Sequence, residues 1–222
     1  MKKQNTPCIA VIINYQTPDL VLRAFHSFHK FYPALPIILA DNGSQDSSKS
    51  VLLEIQQSSP SRIEVVFFER NLHHGPAMDA ILHRGSSKYV LFIDSDCEIL
   101  QGGFIEKMIE VAEQQPGVFA VGKKIFINKR GYDIAETKGA IPYIRPFCML
   151  VHREHYQHLT PFRKHGSPCL QTMREAALCG YALLDFPVLE YVQHKGRGTV
   201  ERYGYQLGLN GKLNHLLHWF GL

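Results

Sequence analysis

Tyr89-Val90-Leu91-Phe92-Ile93-Asp94-Ser95-Asp96 is the stretch that decides how this chain reads. Five apolar residues run directly into two carboxylates one residue apart. A short continuous apolar run reads as a strand covered on both faces, as in a parallel sheet with helices on either side. The same design recurs upstream. Cys8 to Ile13 is another such run, followed by Asn14-Tyr15 and by a helix start at Thr17-Pro18-Asp19 with proline at the first helical position. Pro36 to Ala40 gives a second strand ending at Asp41-Asn42-Gly43-Ser44, followed by a helix with Val51, Leu52 and Ile55 on one face. Ile63 to Phe68 gives a third strand, and Gly75-Pro76 opens a helix carrying Met78, Ile81 and Leu82. Strands alternating with helices imply βαβ crossovers and a mostly parallel sheet.

Downstream of Glu98 the rhythm changes. Phe104, Ile105, Met108 and Ala112 predict a helix, Val118 to Ile127 a strand, and Asn128 to Ile144 irregular chain. Phe147 to Val151 reads as a short strand and Leu170 to Cys179 as a helix. Ala182 to Phe186 and Val188 to Val192 read as short strands. Leu213, Leu216, Leu217, Trp219 and Phe220 place an amphipathic helix at the end. Neither a repeat nor a low-complexity linker divides the 222 residues.

Bulk properties narrow the function classes. A 45% hydrophobic content is enough for a sizeable core. The net charge of +4, with no basic block and no recognition motif, argues against nucleic acid. The five cysteines (Cys8, Cys97, Cys148, Cys169, Cys179) are odd in number and lack CxxC spacing, so neither a disulfide framework nor a zinc ribbon is expected. A reducing, cytoplasmic setting follows. No stretch is long and apolar enough to cross a bilayer, although Trp219 and Phe220 with Lys212 and His215 would suit peripheral contact with a membrane.

In open parallel sheets, ligands bind beyond the carboxyl ends of the strands. That rule points to Asn14-Tyr15, Asp41-Asn42, Asn71 to Gly75 and Asp94 to Asp96. Residues two apart on an extended chain face the same side. Asp94 and Asp96 can therefore share a hard divalent cation, which would offset their mutual repulsion. The alternative is a loop with two solvated acids. Asp41-Asn42-Gly43-Ser44 is also good turn chemistry, and Asn71 with Gly75 equally suits a helix entry.

Taken in order, these features resemble the family 2 glycosyltransferases from Ile9 to about Thr199. The resemblance is carried by Asn14-Tyr15, Asp41 to Ser44 with Asp46, Asn71 with Gly75 to Asp79, and Leu91 to Asp96. It continues in Phe147 to Val151, Gly180-Tyr181 and His194-Lys195-Gly196. It implies an α/β GT-A fold: a Rossmann-like, mostly parallel sheet flanked by helices, with a C-terminal acceptor-side extension. Residues 7–98 would form the nucleotide-sugar-binding half of a single domain, 99–200 the acceptor side, and 201–222 a terminal helix.

The implied activity is cation-dependent, inverting transfer of a sugar from a nucleotide-diphosphate donor, UDP or dTDP favoured, to a glycan, lipid-linked or other hydroxyl. Asn14, Tyr15, Asp41, Asn42, Asn71, Gly75, Asp79, Asp94 and Ser95 would line the donor site. Asp94, Asp96 and His194 would hold Mn2+ or Mg2+.

At one place the chain departs from the family. The acidic pair that usually supplies the general base before Gly-Tyr is here Pro168-Cys169. Candidates for the base are His165 and Glu175, with Asp133 and Glu136 behind them. A protein that binds nucleotide sugars without turnover is the alternative. A sugar nucleotidyltransferase fits less well, because Asn14-Tyr15-Gln16-Thr17-Pro18 is not the Gly-rich, basic loop such enzymes carry after the first strand.

Overall fold

The computed structural model describes residues 7–163 and 167–196. Strand β1 (Cys8–Asn14) leads to helix α1 (Pro18–Phe31), β2 (Ile37–Asp41), α2 (Ser48–Ser58), β3 (Ile63–Phe67), α3 (His74–Leu82) and β4 (Tyr89–Asp94). Then come β5 (Cys97–Ile99), α4 (Phe104–Gln114), β6 (Val118–Ile127), β7 (Asp133–Ile134), β8 (Ile141–His152), α5 (Arg153–Gln157), α6 (Leu170–Leu178), β9 (Ala182–Asp185) and β10 (Val192–His194).

The main sheet runs β3-β2-β1-β4-β8-β6-β7, with β9 also on β6. β3, β2, β1 and β4 are parallel, whereas β8 runs against β4 and β6 against β8. A separate two-stranded ribbon pairs β5 with β10.

Side chains of the parallel strands alternate between two cores. Cys8, Ala10, Ile12, Ile37, Leu39, Tyr89, Leu91 and Ile93 pack with α1, α2 and α4. Val11, Ile38, Ala40, Val90 and Phe92 pack with α3 and α6. Two covered faces explain the unbroken apolar runs, and they leave polar side chains a place only at the strand ends.

The short elements β5, β7 and α5 were not expected from the sequence, and two longer segments differ from expectation. The stretch expected to be irregular up to Ile144 enters β8 at Ile141, making one long strand. Pro142, Arg145 and Pro146 hide it by breaking the apolar pattern, and pairing with β6 continues across a register shift between Gly122 and Lys124. Val188 to Val192, expected as a strand, is a 3-10 turn at Val188–Glu190 followed by β10. Pro187 lacks the amide a strand needs, and Leu189 is exposed.

The far end of β8 carries a titratable core group. The His152 ring stacks on His155 with centroids 3.8 Å apart and meets Tyr89 edge-on at 5.3 Å. Burial, with His155 and Lys88 adding, lowers its pKa from 6.5 to about 4. The folded protein thus keeps His152 neutral while the unfolded chain takes up a proton. Stability from this group is complete above pH 6.5 and is lost as pH falls toward 4. The expected loss is about 2 kcal/mol, less than the full shift implies because the charges around the ring reach solvent. Denaturant melts across that range should show a smaller pH dependence for His152→Gln.

Candidate active site

Three strand ends and one helix start build the site. At the end of β1, Asn14 pairs in register with Asp41 at the end of β2, and both are fully buried. Asn14 Nδ2 donates to Asp41 Oδ1 (3.3 Å), and the Ser44 amide donates to Asp41 Oδ2 (2.9 Å). Thr17 Oγ1 donates to Asn14 Oδ1 (2.8 Å) and lies 3.3 Å from Ser95 Oγ. Asp41 therefore has both oxygens engaged within the protein and no exposed surface. Its carboxylate braces the loop, as turn chemistry alone would have it do.

Asn42 performs a similar task one strand over. Its Nδ2 donates to Asn71 Oδ1 (3.2 Å), and its Oδ1 accepts the Leu72 amide (2.9 Å). Asn71 Oδ1 also accepts the His73 amide at 2.7 Å. These bonds hold His73 at φ 67°, ψ 170°, a backbone region favouring glycine, immediately before α3. Gly75 is buried in the first turn of that helix. Tyr15 is half-buried at the end of β1. Asp79 lies a turn further along α3, where its Oδ1 accepts a hydrogen bond from Tyr156 Oη (2.5 Å) and lies 3.5 Å from His83 Nδ1.

The two carboxylates after β4 face different histidines, because the chain turns at Ser95-Asp96 instead of staying extended. Asp94 Oδ1 lies 3.4 Å from His74 Nε2 at the start of α3. Asp96 Oδ1 lies 3.3 Å from His194 Nε2. The β5–β10 ribbon makes the second contact possible by setting His194 opposite Cys97.

The electrostatics suit a cation. Desolvation raises the Asp94 pKa above the usual carboxylate value, and Asp96 adds to this while His74 and His194 oppose it. Burial alone would lower His194. The hydrogen bond and charge of Asp96, with Asp94 behind, outweigh that and leave its pKa raised. Among the described residues, the ligand atoms that gather within 4.8 Å of one another belong to Asp96, Cys97 and His194. A carboxylate oxygen, an imidazole nitrogen and a sulfur so placed fit a divalent cation. Asp94 stands outside that group.

The sequence gives His74 no support as a metal ligand, and Cys97 stands in it only as one of five cysteines. As a site residue His74 was findable, since it starts a helix at the ligand-binding edge of the sheet. Cys97 was not, since its place depends on a strand pairing across nearly half the chain.

Ahead of α6, Cys169 is fully buried, and burial pushes its thiol well above the ordinary range. It cannot serve as a base near neutral pH. Glu175 Oε2 accepts the Thr160 amide at 2.7 Å, and this bond lowers its pKa. Asp133 is ion-paired with Arg145, and Glu136 is exposed. His165 and the expected terminal helix lie outside the described residues. Glu175→Gln is expected to lower the melting temperature by a few degrees, as loss of a charge-assisted bond does, and to change kcat less than about tenfold. A loss of about 100-fold or more would instead make Glu175 the base.

Known proteins agree with this architecture. The solved structures that match include a mannosyltransferase from Pyrobaculum calidifontis in complex with GDP-Man and Mn2+ (TM-score 0.66, 15% identity, 82% of this chain and 56% of that one). They also include GalNAc-T7 with UDP, GalNAc and Mn2+ (TM-score 0.68, 15% identity, 84% and 42%), and residues 1–349 of S. aureus TarS (TM-score 0.60, 15% identity, 83% and 59%). The fold is the GT-A glycosyltransferase fold.

Among curated sequences, an uncharacterised glycosyltransferase of Nostoc sp. is 27% identical over 135 residues, 59% of this chain and 41% of that protein. The putative teichuronic acid biosynthesis glycosyltransferase TuaG of Bacillus subtilis is 28% identical over 116 residues, 51% and 45%. The chain thus spans less than half the length of these relatives. Residues 9–178 match the pattern of glycosyl transferase family 2, and the chain belongs to that family.

Proposed function

We propose that the protein transfers a sugar from a nucleotide-diphosphate donor to a hydroxyl acceptor with inversion, assisted by a divalent cation such as Mn2+ or Mg2+. The observation that carries this reading is the contact of Asp96 with His194 just beyond β4 in a GT-A sheet, with the buried Asp94 carboxylate beside it. A bound cation would neutralise diphosphate charge as the leaving group departs. Asp96 and His194 hold it, and Asp94 adds charge beside them. The buried Asn14–Asp41–Ser44 and Asn42–Asn71 networks shape the floor on which the nucleotide rests, with Tyr15, Ser95 and the first turn of α3 at Gly75 around it. Asp79 acts through Tyr156, which also accepts the Phe162 amide.

A uridine or thymidine donor and a glycan or lipid-linked acceptor suit the family. His165 is the acid–base candidate, and the cytoplasm is the proposed setting. Among the described residues no helix is long and apolar enough to cross a membrane.

The buried, neutral Cys169 favours one second reading: donor binding without turnover. A panel of nucleotide sugars with Mn2+, Mg2+ or chelator separates the two. Cation-dependent binding with release of nucleoside diphosphate in the presence of acceptors supports transfer. Binding without release over a broad acceptor panel supports the second reading, and no binding at all refutes both.

A further inference from the structure

The β5–β10 ribbon places a sulfur in the site as well as an imidazole. Cys97 stands directly opposite His194. Opposed residues of an antiparallel pair project to the same face, with Cβ atoms roughly 4.5–5.5 Å apart. The ligand atoms agree, since those of Asp96, Cys97 and His194 lie within 4.8 Å of one another. A small closing movement brings such a set to metal bonds of roughly 2.0–2.3 Å.

One residue organises both sides of the group. The carbonyl of Phe147 accepts the Cys97 thiol at 3.3 Å. The Phe147 ring stacks on His194 with centroids 4.7 Å apart and planes 7° from parallel. Cys97 is only 2% exposed and lies in the same apolar core as Phe147, with its sulfur within 4.8 Å of the Asp96 and His194 ligand atoms. No other cysteine among the described residues joins the group.

Resting on the cation-assisted donor binding proposed above, we propose that Cys97 is a third protein ligand beside Asp96 and His194. The tightest occupant of the site is then a borderline cation, Zn2+ or Co2+, in preference to Mn2+ or Mg2+. Carboxylate and imidazole alone already bind Co2+ and Zn2+ more tightly than Mn2+, and a thiolate widens that gap while adding little for Mg2+. On binding, a lone pair of Cys97 Sγ forms the bond to the cation, the thiol proton leaves to water, and the Phe147 carbonyl loses its donor. Nothing is oxidised or reduced.

The test uses the full chain carrying Cys179→Ala, which removes the exposed thiol, with and without Cys97→Ser. Co2+ titration of the first protein is expected to give sulfur-to-cobalt charge-transfer absorption that Cys97→Ser abolishes. Zn2+ affinity should fall at least about tenfold in Cys97→Ser, while Mn2+ affinity changes by less than about twofold. Should Cys97→Ser fail to fold, Cys97→Ala in the same background must lose band and Zn2+ affinity together; a band unchanged there comes from another thiol and overturns the proposal. Co2+ binding without the band also overturns it but leaves the donor-binding reading intact. Failure of every cation to bind, with nucleotide sugars present, overturns both.

Discussion

Asp96→Ala is expected to abolish the cation dependence of donor binding. The cation-dependent part of the affinity should fall about 100-fold, and kcat with any active donor about 100- to 1,000-fold. Asp96 is buried beside the chain turn, its carboxylate oxygen 3.3 Å from His194. Removing it takes away the central member of the ligand group and the charge that raises the His194 pKa. Calorimetry with one responsive nucleotide sugar, with and without Mn2+, reads the first effect. Asp96→Asn keeps the shape and loses the charge, so it should resemble Asp96→Ala if the charge matters. Donor binding that stays metal-dependent in both variants would remove Asp96 from the site.

The second large effect is on the fold beneath the site. Gly43 sits at φ +77°, and a Cβ there would lie 2.3 Å from the carbonyl carbon of Arg70 and 2.6 Å from the Asn71 nitrogen. Gly43→Ala must therefore part the loops after β2 and β3, since the obstacle is backbone that cannot rotate away. The combined conformational and overpacking penalty is expected to be about 3 kcal/mol, or about 6–12 °C in melting temperature. Asn42 bonds to Asn71 across the same junction, so donor affinity should drop as well. Gly85 provides the control. It has a similar φ of +73° with nothing within 4 Å, so Gly85→Ala carries the backbone term alone and costs about 1 kcal/mol. Equal effects at both positions would mean that the loop contact contributes nothing.

The parallel half of the fold could be read from sequence because burial on both faces leaves an unmistakable trace. β1, β2 and β4 are nearly unbroken apolar runs with polar residues only where each strand ends. The antiparallel half was harder. β8 conceals its first part behind Pro142 and Pro146, and the stretch after Pro187 has strand composition but turns instead. Within the site, the strand-end rule located Asn14, Asp41 and Asp94 without telling which would be open. Burial of Asp41 depends on Asn14 and Ser44 closing on it from two other segments. The pairing of Cys97 with His194 joins elements far apart in the chain, and no local pattern records it.

The β5–β10 ribbon also sets the order in which the molecule can be completed. β1, β2 and β4 lie within residues 8–94, which leave the ribosome before the residues that follow and can begin to fold as a unit. His194 emerges near the end of the described chain, and its pairing with Cys97 closes one of the longest loops in the structure. Such late, non-local contacts are slow to form. A nascent chain, or one lacking residues 192–194, would hold the parallel strands without the Asp96–His194 contact. The Asp96–His194 contact is thereby withheld until residues 100–191, which lie between the two strands of the ribbon, have been made.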